Sequence, residues 1–210
     1  MRRIFGVFLA VAVLSGCAGG TMDEAECSTA DWRTLGFEDG AAGADMSAFS
    51  IRRKACADHG VVADLNGYRA GRSEGLGHFC RPSSGYNLGS LGVGYKGVCP
   101  ADLETEFLAA YNDGYGLYKR QAALDAVTRN LVRKQARADQ VERLMAEKTA
   151  ALASTSLAPE ELAALAVDLK QLAEERGRLA GDIERLKVEQ AEADKAYRIY
   201  EARLASRASR

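Results

Sequence analysis

The sequence predicts an all-α protein, in which a small, disulfide-stapled, glycine-rich helical head precedes a long antiparallel helical hairpin, a coiled coil. Three observations lead to this fold class. All 21 glycines except Gly177 and Gly181 lie at or before Gly116. The cysteines that can pair all lie in the same first half of the chain. From about Lys119 the chain is rich in Ala, Leu, Glu, Lys and Arg, which favour helix, and its apolar residues follow a heptad pattern.

The first residues have the features of an export signal. Arg2 and Arg3 precede an apolar run that ends at Leu14 and is too short to cross a bilayer. The run from Leu14 to Cys17, Leu-Ser-Gly-Cys, resembles the lipobox of bacterial lipoproteins. We therefore expect residues 1–16 to be removed as a signal peptide and Cys17 to become a lipid-bearing N-terminus.

Lipidation would anchor the protein to a membrane of the cell envelope. Residues 17–26 would then be the lipidated cysteine and a short tether. Ala18, rather than Asp, follows Cys17, which resembles outer-membrane sorting in enteric bacteria. We therefore expect a lipoprotein of the outer membrane that faces the periplasm.

Four cysteines remain besides Cys17, and an even number in an oxidising compartment predicts two disulfides. They are Cys27, Cys56, Cys80 and Cys99. Their wide spacing, without a C-x-x-C motif, is unlike a zinc site, and we expect no metal. Three connectivities are possible. The pairing Cys27–Cys56 and Cys80–Cys99 is favoured weakly, because each pair brackets a segment short enough to fold back on itself.

The head, residues 27–100, and the helix that leaves it repeat a pattern in which an aromatic residue is followed three positions later by glycine. The copies are Phe37/Gly40, Tyr68/Gly71, Tyr86/Gly89 and Tyr111/Gly114. Offsets of three and four share one face of a helix, so these glycines indicate close helix packing. We expect short helices at Asp31–Gly43, Ser50–Asp58, Leu65–Phe79 and Tyr86–Gly92.

The second half predicts two long helices, over residues 101–153 and 159–208, joined at a tip of residues 154–158. Steps of three and four from Leu162 give a nearly unbroken apolar seam, and Pro159 with two following acids marks a helix start. The short link favours an intrachain hairpin whose register places Leu131 opposite Ile183. A dimeric coiled coil through the same seams, and hence a homodimer, remains an alternative. Leu157 at the tip is a candidate partner contact.

Polar residues beside the repeated glycines are the candidate site of the head. Asp39, Arg72 and Asp113 could converge as a polar cluster, which is more simply explained as an ion pair that fixes orientation. The functional alternative is a small or carbohydrate ligand held by Arg72, with Trp32 or Tyr68 as a stacking wall.

The composition argues against several classes of function. The chain has 28 basic and 29 acidic residues, a net charge of −1, which gives no electrostatic reason to bind nucleic acid. His59 and His78 lack a nucleophile motif or free thiol beside them, so we expect no catalytic residue, no enzyme activity and no cofactor. The glycine-rich run 85–97 lacks the G-K-[ST] of a phosphate-binding loop.

The head as a whole resembles an uncharacterised family of Gram-negative lipoproteins, domain of unknown function 2799, over about residues 27–118. The residues that carry the resemblance include the four paired cysteines and the following: Asp31-Trp32, Asp39-Gly40, Tyr68-x-x-Gly71-Arg72-x-x-Gly75, Val98-Cys99-Pro100, Phe107 and Tyr111-x-x-Gly114. The resemblance implies an anchored periplasmic lipoprotein and supplies no catalytic residue. We expect a structural or adaptor role, in which the hairpin is presented to an envelope protein partner. The alternative is a ligand-binding head with the hairpin as a stalk.

Overall fold

The computed structural model describes residues 22–153 and 158–208, and these residues form seven helices and no strand, which confirms the all-α prediction. The helices are α1 (Glu24–Ser28), α2 (Trp32–Ala41), α3 (Ser47–Asp58), α4 (Leu65–Phe79), α5 (Pro82–Ser90), α6 (Ala101–Leu152) and α7 (Pro159–Ala208). They belong to two compact units. The first contains the described residues up to Cys80 together with Lys96–Pro100, and the second contains Arg81–Tyr95 and the chain from Ala101.

The first unit is built on the crossing of α2 and α4. Each helix presents glycines to the backbone of the other, so that Gly36 and Gly40 of α2 lie against the Tyr68 and Arg72 carbonyl groups of α4. Side chains at these glycines would hold the two helices apart. Glycine lowers the propensity of these segments to form helix, and the predicted close packing explains why glycines nevertheless occupy these positions.

The core of this unit lies beside the helix crossing. Its buried residues are Met22, Cys27, Trp32, Phe49, Cys56 and Tyr68. The structure forms the disulfides Cys27–Cys56 and Cys80–Cys99, which is the pairing that the sequence favoured. A unit this small gains much of its stability from such crosslinks.

Residues 17–26 were expected to form a tether, and this expectation is wrong for residues 22–26. Asp23 begins α1 with a capping box, in which its side chain accepts from the Glu26 N–H and the Glu26 carboxylate accepts from the Asp23 N–H. Met22 is buried, and its sulfur lies 3.9 Å from the Cys56 sulfur. Met22, the first residue that the structure describes, is therefore part of the core of the first unit.

The expected head of residues 27–100 does not form one unit, because α5 packs on α6. Gly85 and Gly89 of α5 lie against the Phe107 and Tyr111 carbonyl groups, and Gly114 of α6 lies against the Tyr86 carbonyl. These glycines find their close-packing partner in the first turns of the long helix, so residues 81–95 belong to the second unit.

The α5–α6 crossing repeats most of the close contacts of the α2–α4 crossing at equivalent residues. On the first helix, equivalent residues lie 49 positions apart: Gly36 and Gly85, Gly40 and Gly89, Gly43 and Gly92. On the second helix they lie 39 positions apart: Tyr68 and Phe107, Arg72 and Tyr111, Gly75 and Gly114, Phe79 and Tyr118. The two units therefore share one helix-pair motif with different surroundings.

Both copies end their first helix in the same way. Gly43 and Gly92 have φ angles of 69° and 70°, a left-handed conformation that glycine adopts without strain. The carbonyl of the next residue, Ala44 or Val93, then accepts a hydrogen bond from the second helix. Arg72 donates in the first copy, at 2.9 Å, and the Tyr111 hydroxyl donates in the second, at 3.1 Å.

In the second unit α6 and α7 run antiparallel along each other. Lys134 pairs with Asp182 at 2.8 Å, and Lys148 pairs with Asp168, so residues later in α6 meet residues earlier in α7. The predicted seam of α7 is buried or half-buried, except at Leu162 and Arg176, which are exposed. The α6 residues at matching steps are buried or half-buried as well: Leu117, Leu124, Val127, Leu131, Ala138, Val141, Met145 and Leu152.

No helix in residues 22–153 and 158–208 has both the length and the apolar character that a membrane span requires.

Candidate functional site

The candidate site of the first unit centres on Asp39, the only charged side chain that is buried among the residues the structure describes. Asp39 lies on α2, and two neighbouring helices supply its partners. Arg52 of α3 donates two hydrogen bonds to the carboxylate, from Nε to Oδ2 at 3.2 Å and from Nη2 to Oδ1 at 2.8 Å. The Tyr68 hydroxyl of α4 donates to Oδ2 at 2.7 Å. The three side chains thus join α2, α3 and α4.

The electrostatics of this triad are those of a closed structural network. Burial and the hydrogen bond to Asp39 raise the pKa of the Tyr68 hydroxyl far above its usual value. The hydrogen bonds to Asp39 also raise the pKa of the Arg52 guanidinium. The Tyr68 hydroxyl therefore stays protonated and the Arg52 guanidinium stays charged across the physiological range, and both carboxylate oxygens of Asp39 accept hydrogen bonds. The network fixes helix orientation and offers no free acid or base.

The predicted polar cluster of Asp39, Arg72 and Asp113 does not form. Arg72 uses its guanidinium to donate to the Ala44 carbonyl at the end of α2. Asp113 accepts from Arg207 of α7 at 3.1 Å, within the second unit. Each of the three residues has a separate partner, so the cluster is wrong as a site.

The predicted ligand wall is also wrong, because both of its rings belong to the core. Trp32 is 7% exposed and Tyr68 is fully buried. Both pack on Phe49, with ring centroids 5.9 Å and 4.8 Å away, and Tyr68 is also held by Asp39. Neither ring has a face left for a ligand. Arg52, the residue that completes the network, was missed, since it lies in the basic run Arg-Arg-Lys of residues 52–54 with no signal that sets it apart.

The two histidines lie at the surface of the first unit. His59 is exposed at the C-terminal end of α3, and His78 is exposed on α4 with its ring edge-to-face against Phe37 at 5.5 Å. Within the described ranges, no group of three or more His, Cys, Asp or Glu side chains is placed to hold a metal ion.

Ion pairs between α6 and α7 flank the apolar seam of the hairpin. Arg137 of α6 forms two hydrogen bonds to Glu175 of α7, at 2.8 and 2.9 Å, which hold the pKa of the Glu175 carboxyl below its usual value. A hydrogen bond from Lys134 is the main cause that lowers the pKa of Asp182. Such pairs line the flanks of the apolar seam and fix the register of the two helices.

Several large apolar side chains of the hairpin remain uncovered. The valines and isoleucine that are more than half exposed are Val132, Val167, Val188 and Ile199. On α7, Val167, Glu174, Gly181 and Val188 occupy one heptad position, and a Cβ built on Gly177 or Gly181 would meet no atom within 4 Å. This outer face of α7 therefore combines apolar and small residues without a partner in the described chain.

Two predicted sites, the lipidated Cys17 and the tip residue Leu157, lie outside the described residues.

Comparison with known proteins found a family match for the first part of the chain. Residues 31–116 match the model of a family described as protein of unknown function (DUF2799). Nothing among the curated proteins or the solved structures matches the chain. The matched segment runs from the N-cap of α2 to the early turns of α6 and so contains both glycine-mediated helix crossings. The resemblance to this family is confirmed over residues 31–116, less than half of the chain.

Proposed function

We propose that the protein is a lipid-anchored periplasmic adaptor of the outer membrane, which presents the outer face of its hairpin to an envelope protein. Cys17 is the anchor in this proposal, as its lipobox-like sequence suggests. The alternative of a ligand-binding head has lost the residues that supported it, because Trp32 and Tyr68 are core residues and Asp39 is fully partnered.

The observation that carries the proposal is the outer face of α7, defined as Val167, Gly177, Gly181, Val188 and Ala191. A glycine in an exposed helix costs about 1 kcal/mol relative to alanine. Elsewhere in this chain, glycines spaced four apart face the backbone of another helix. Gly177 and Gly181 have the same spacing and face open space. A partner helix that packs on this face would offset their cost.

The surroundings of this face fit a protein partner. Val188 and Ala191 form the floor of a shallow groove whose walls carry both charge signs, Glu184 and Glu192 with Lys187 and Lys195. An apolar strip between mixed charges is typical of a helix that pairs with another helix. Single exposed valines are ordinary on protein surfaces, so the argument depends on the shared heptad position.

The helix pair is also suited to present a surface at a distance. At about 1.5 Å per residue, α6 is roughly 78 Å long, and ion pairs join it to α7 at Lys134, Arg137 and Lys148. A continuous seam with such flanking pairs resists bending better than a single helix does, so that contacts on α7 keep a fixed geometry.

Photo-crosslinking in cells tests the proposal. A photoreactive amino acid at Val167 or Val188 should capture one defined envelope protein, and the same protein should be captured from Leu157 if the contact reaches the tip. Arg129, an exposed residue of α6, is the control position. Substitution Gly181→Leu should abolish capture from both valines. Equal capture at Arg129, or capture that Gly181→Leu leaves unchanged, contradicts the proposal.

A further inference from the structure

One surface of the first unit combines apolar and basic residues close to Met22, the first residue that the structure describes. It is a groove of about 750 Å³ between α3, the loop of residues 59–64 and α4. Met46, Phe49 and Leu65 line it, and Val62 at its edge is 90% exposed. We call these residues, with Arg53 and Arg69, the loop face. A valine left this exposed in a loop has no role in packing the unit itself.

The two charged residues that line the groove are both basic, while the exposed Asp64 of the loop does not line it and accepts a hydrogen bond from the Gly67 N–H. Arg53 and Arg69 line the groove, and no Asp or Glu lines it. Among the residues that the structure describes, neither arginine takes part in an ion pair, whereas Arg52, their neighbour on α3, is held by Asp39. Lys54 is exposed one residue further along. The loop face therefore presents free cations around an apolar edge.

The number of residues between Cys17 and Met22 limits how far the first unit can lie from Cys17. Five Cα–Cα steps separate Cys17 from Met22, which can span at most about 18 Å. Met22 is buried in the core cluster, and Val61, Ala63 and Leu65 pack on that same cluster. A unit of this size is roughly 25 Å across. A lipid on Cys17 would thus hold the unit against the bilayer, because the tether is shorter than the unit is wide.

We infer that the loop face is a membrane-docking surface, in which Val62 enters the headgroup region of the bilayer and Arg53 and Arg69 bind the phosphates of anionic phospholipids. This inference rests on the proposed anchorage at Cys17. Apolar side chains inserted at the interface and basic residues above anionic headgroups act together in peripheral membrane binding.

A depth measurement on the lipidated protein tests the inference. A spin label attached at Val62→Cys, in protein reconstituted into vesicles that contain phosphatidylglycerol, should be accessible to dissolved oxygen and shielded from a water-soluble relaxation agent. The matched control is a label at Val132→Cys on the hairpin, an exposed valine that should remain in water. Water accessibility at Val62 in vesicle-bound protein overturns the inference and leaves the anchorage intact. Protein that is not recovered with vesicles at all overturns both.

Binding without the lipid tests the charges separately. The mature chain with Cys17→Ser should bind vesicles containing phosphatidylglycerol more tightly than vesicles of phosphatidylcholine, and added salt should weaken the binding. Each arginine near an anionic surface contributes about five-fold, so Arg53→Ser with Arg69→Ser should weaken binding roughly thirty-fold.

The control variant removes the same charge from the hairpin. Arg129→Ser with Arg133→Ser changes two exposed arginines of α6 and should leave vesicle binding unchanged. An equal loss in the two double variants, or no loss in either, overturns the role of the loop face.

Discussion

Two glycines of α4, two positions apart, should respond oppositely to alanine. A Cβ on Gly75 would lie 2.6 Å from the Ala41 nitrogen and nearer still to the Phe37 carbonyl oxygen, and both atoms belong to the backbone of α2. A Cβ on Gly77 would meet nothing within 4 Å. We therefore expect Gly75→Ala to destabilise the first unit and Gly77→Ala to stabilise it.

The expected magnitudes follow from the contacts. Replacing an exposed helical glycine by alanine raises the free energy of unfolding by about 1 kcal/mol, and this is the whole effect expected at Gly77. At Gly75 the same gain is opposed by overpacking, which typically costs about 1–3 kcal/mol and more where the neighbour is backbone that cannot rotate away. The helices must separate by roughly 1 Å to reach ordinary van der Waals distance. The free energies of unfolding of the two variants should differ by about 3 kcal/mol.

Tryptophan fluorescence during urea unfolding measures this difference. Trp32 is the only tryptophan in the chain and is buried against Phe49 in the first unit, so its emission reports that unit. The variant Gly77→Ala is the matched control, since it makes the same chemical change in the same helix. If Gly75→Ala were as stable as Gly77→Ala, the backbone-to-backbone packing of α2 on α4 would be refuted.

Three other perturbations have defined outcomes. Substitution Asp39→Asn leaves Arg52 without its carboxylate and should lower the free energy of unfolding by about 3 kcal/mol in the same urea assay; an unchanged value would contradict the network. Because Arg137 lowers the pKa of Glu175, the pair should stabilise the hairpin above about pH 4.5, and this contribution should be lost as the pH falls through the lowered pKa. The melting temperature of Glu175→Gln should lack this loss at acid pH. A melting temperature that depends on pH as in the wild type would contradict the role of the pair. Gly181→Ala should stabilise the isolated protein by about 1 kcal/mol in calorimetry, and destabilisation would show that Gly181 is packed.

The hairpin could be predicted from sequence because its signals are local and repeated. The heptad seam identifies the buried face of α7, and Pro159 marks its first residue. The predicted register, with Leu131 opposite Ile183, agrees within two residues with the observed pairs of Lys134 with Asp182 and Arg137 with Glu175. The apolar residues of the two seams must all face each other at once, so few alternative registers of α6 against α7 are possible.

The polar cluster was predicted because Asp39, Arg72 and Asp113 each lie next to a glycine. Residues next to a glycine do not all occupy equivalent positions in the helix-pair motif. The residue equivalent to Asp39 in the second copy is Leu88, and the residue equivalent to Arg72 is Tyr111. Asp113 corresponds to neither, since it stands at the place of Glu74. The three residues therefore occupy different positions of the helix-pair motif, so the motif gives no reason to expect them in one cluster.

The aromatic rings were misassigned for a related reason. In a small unit whose helices cross through glycines, the space beside the crossing must be filled by large side chains. Trp32, Phe49 and Tyr68 fill it. Periodicity shows that a ring shares a face with a glycine, and it does not distinguish a core ring from a ring that faces a ligand.

The distance between Val132 of α6 and Val188 of α7 tests most directly whether the second half of the chain is a hairpin folded on itself. Both side chains are exposed, so spin labels there should leave the fold unchanged. In labelled protein diluted with unlabelled protein, pulsed electron paramagnetic resonance should give a distance of about 20–25 Å, because the paired helix axes lie about 8–10 Å apart. A distance of roughly 80 Å, as one continuous helix in a dimer would give at 1.5 Å per residue, would contradict the account.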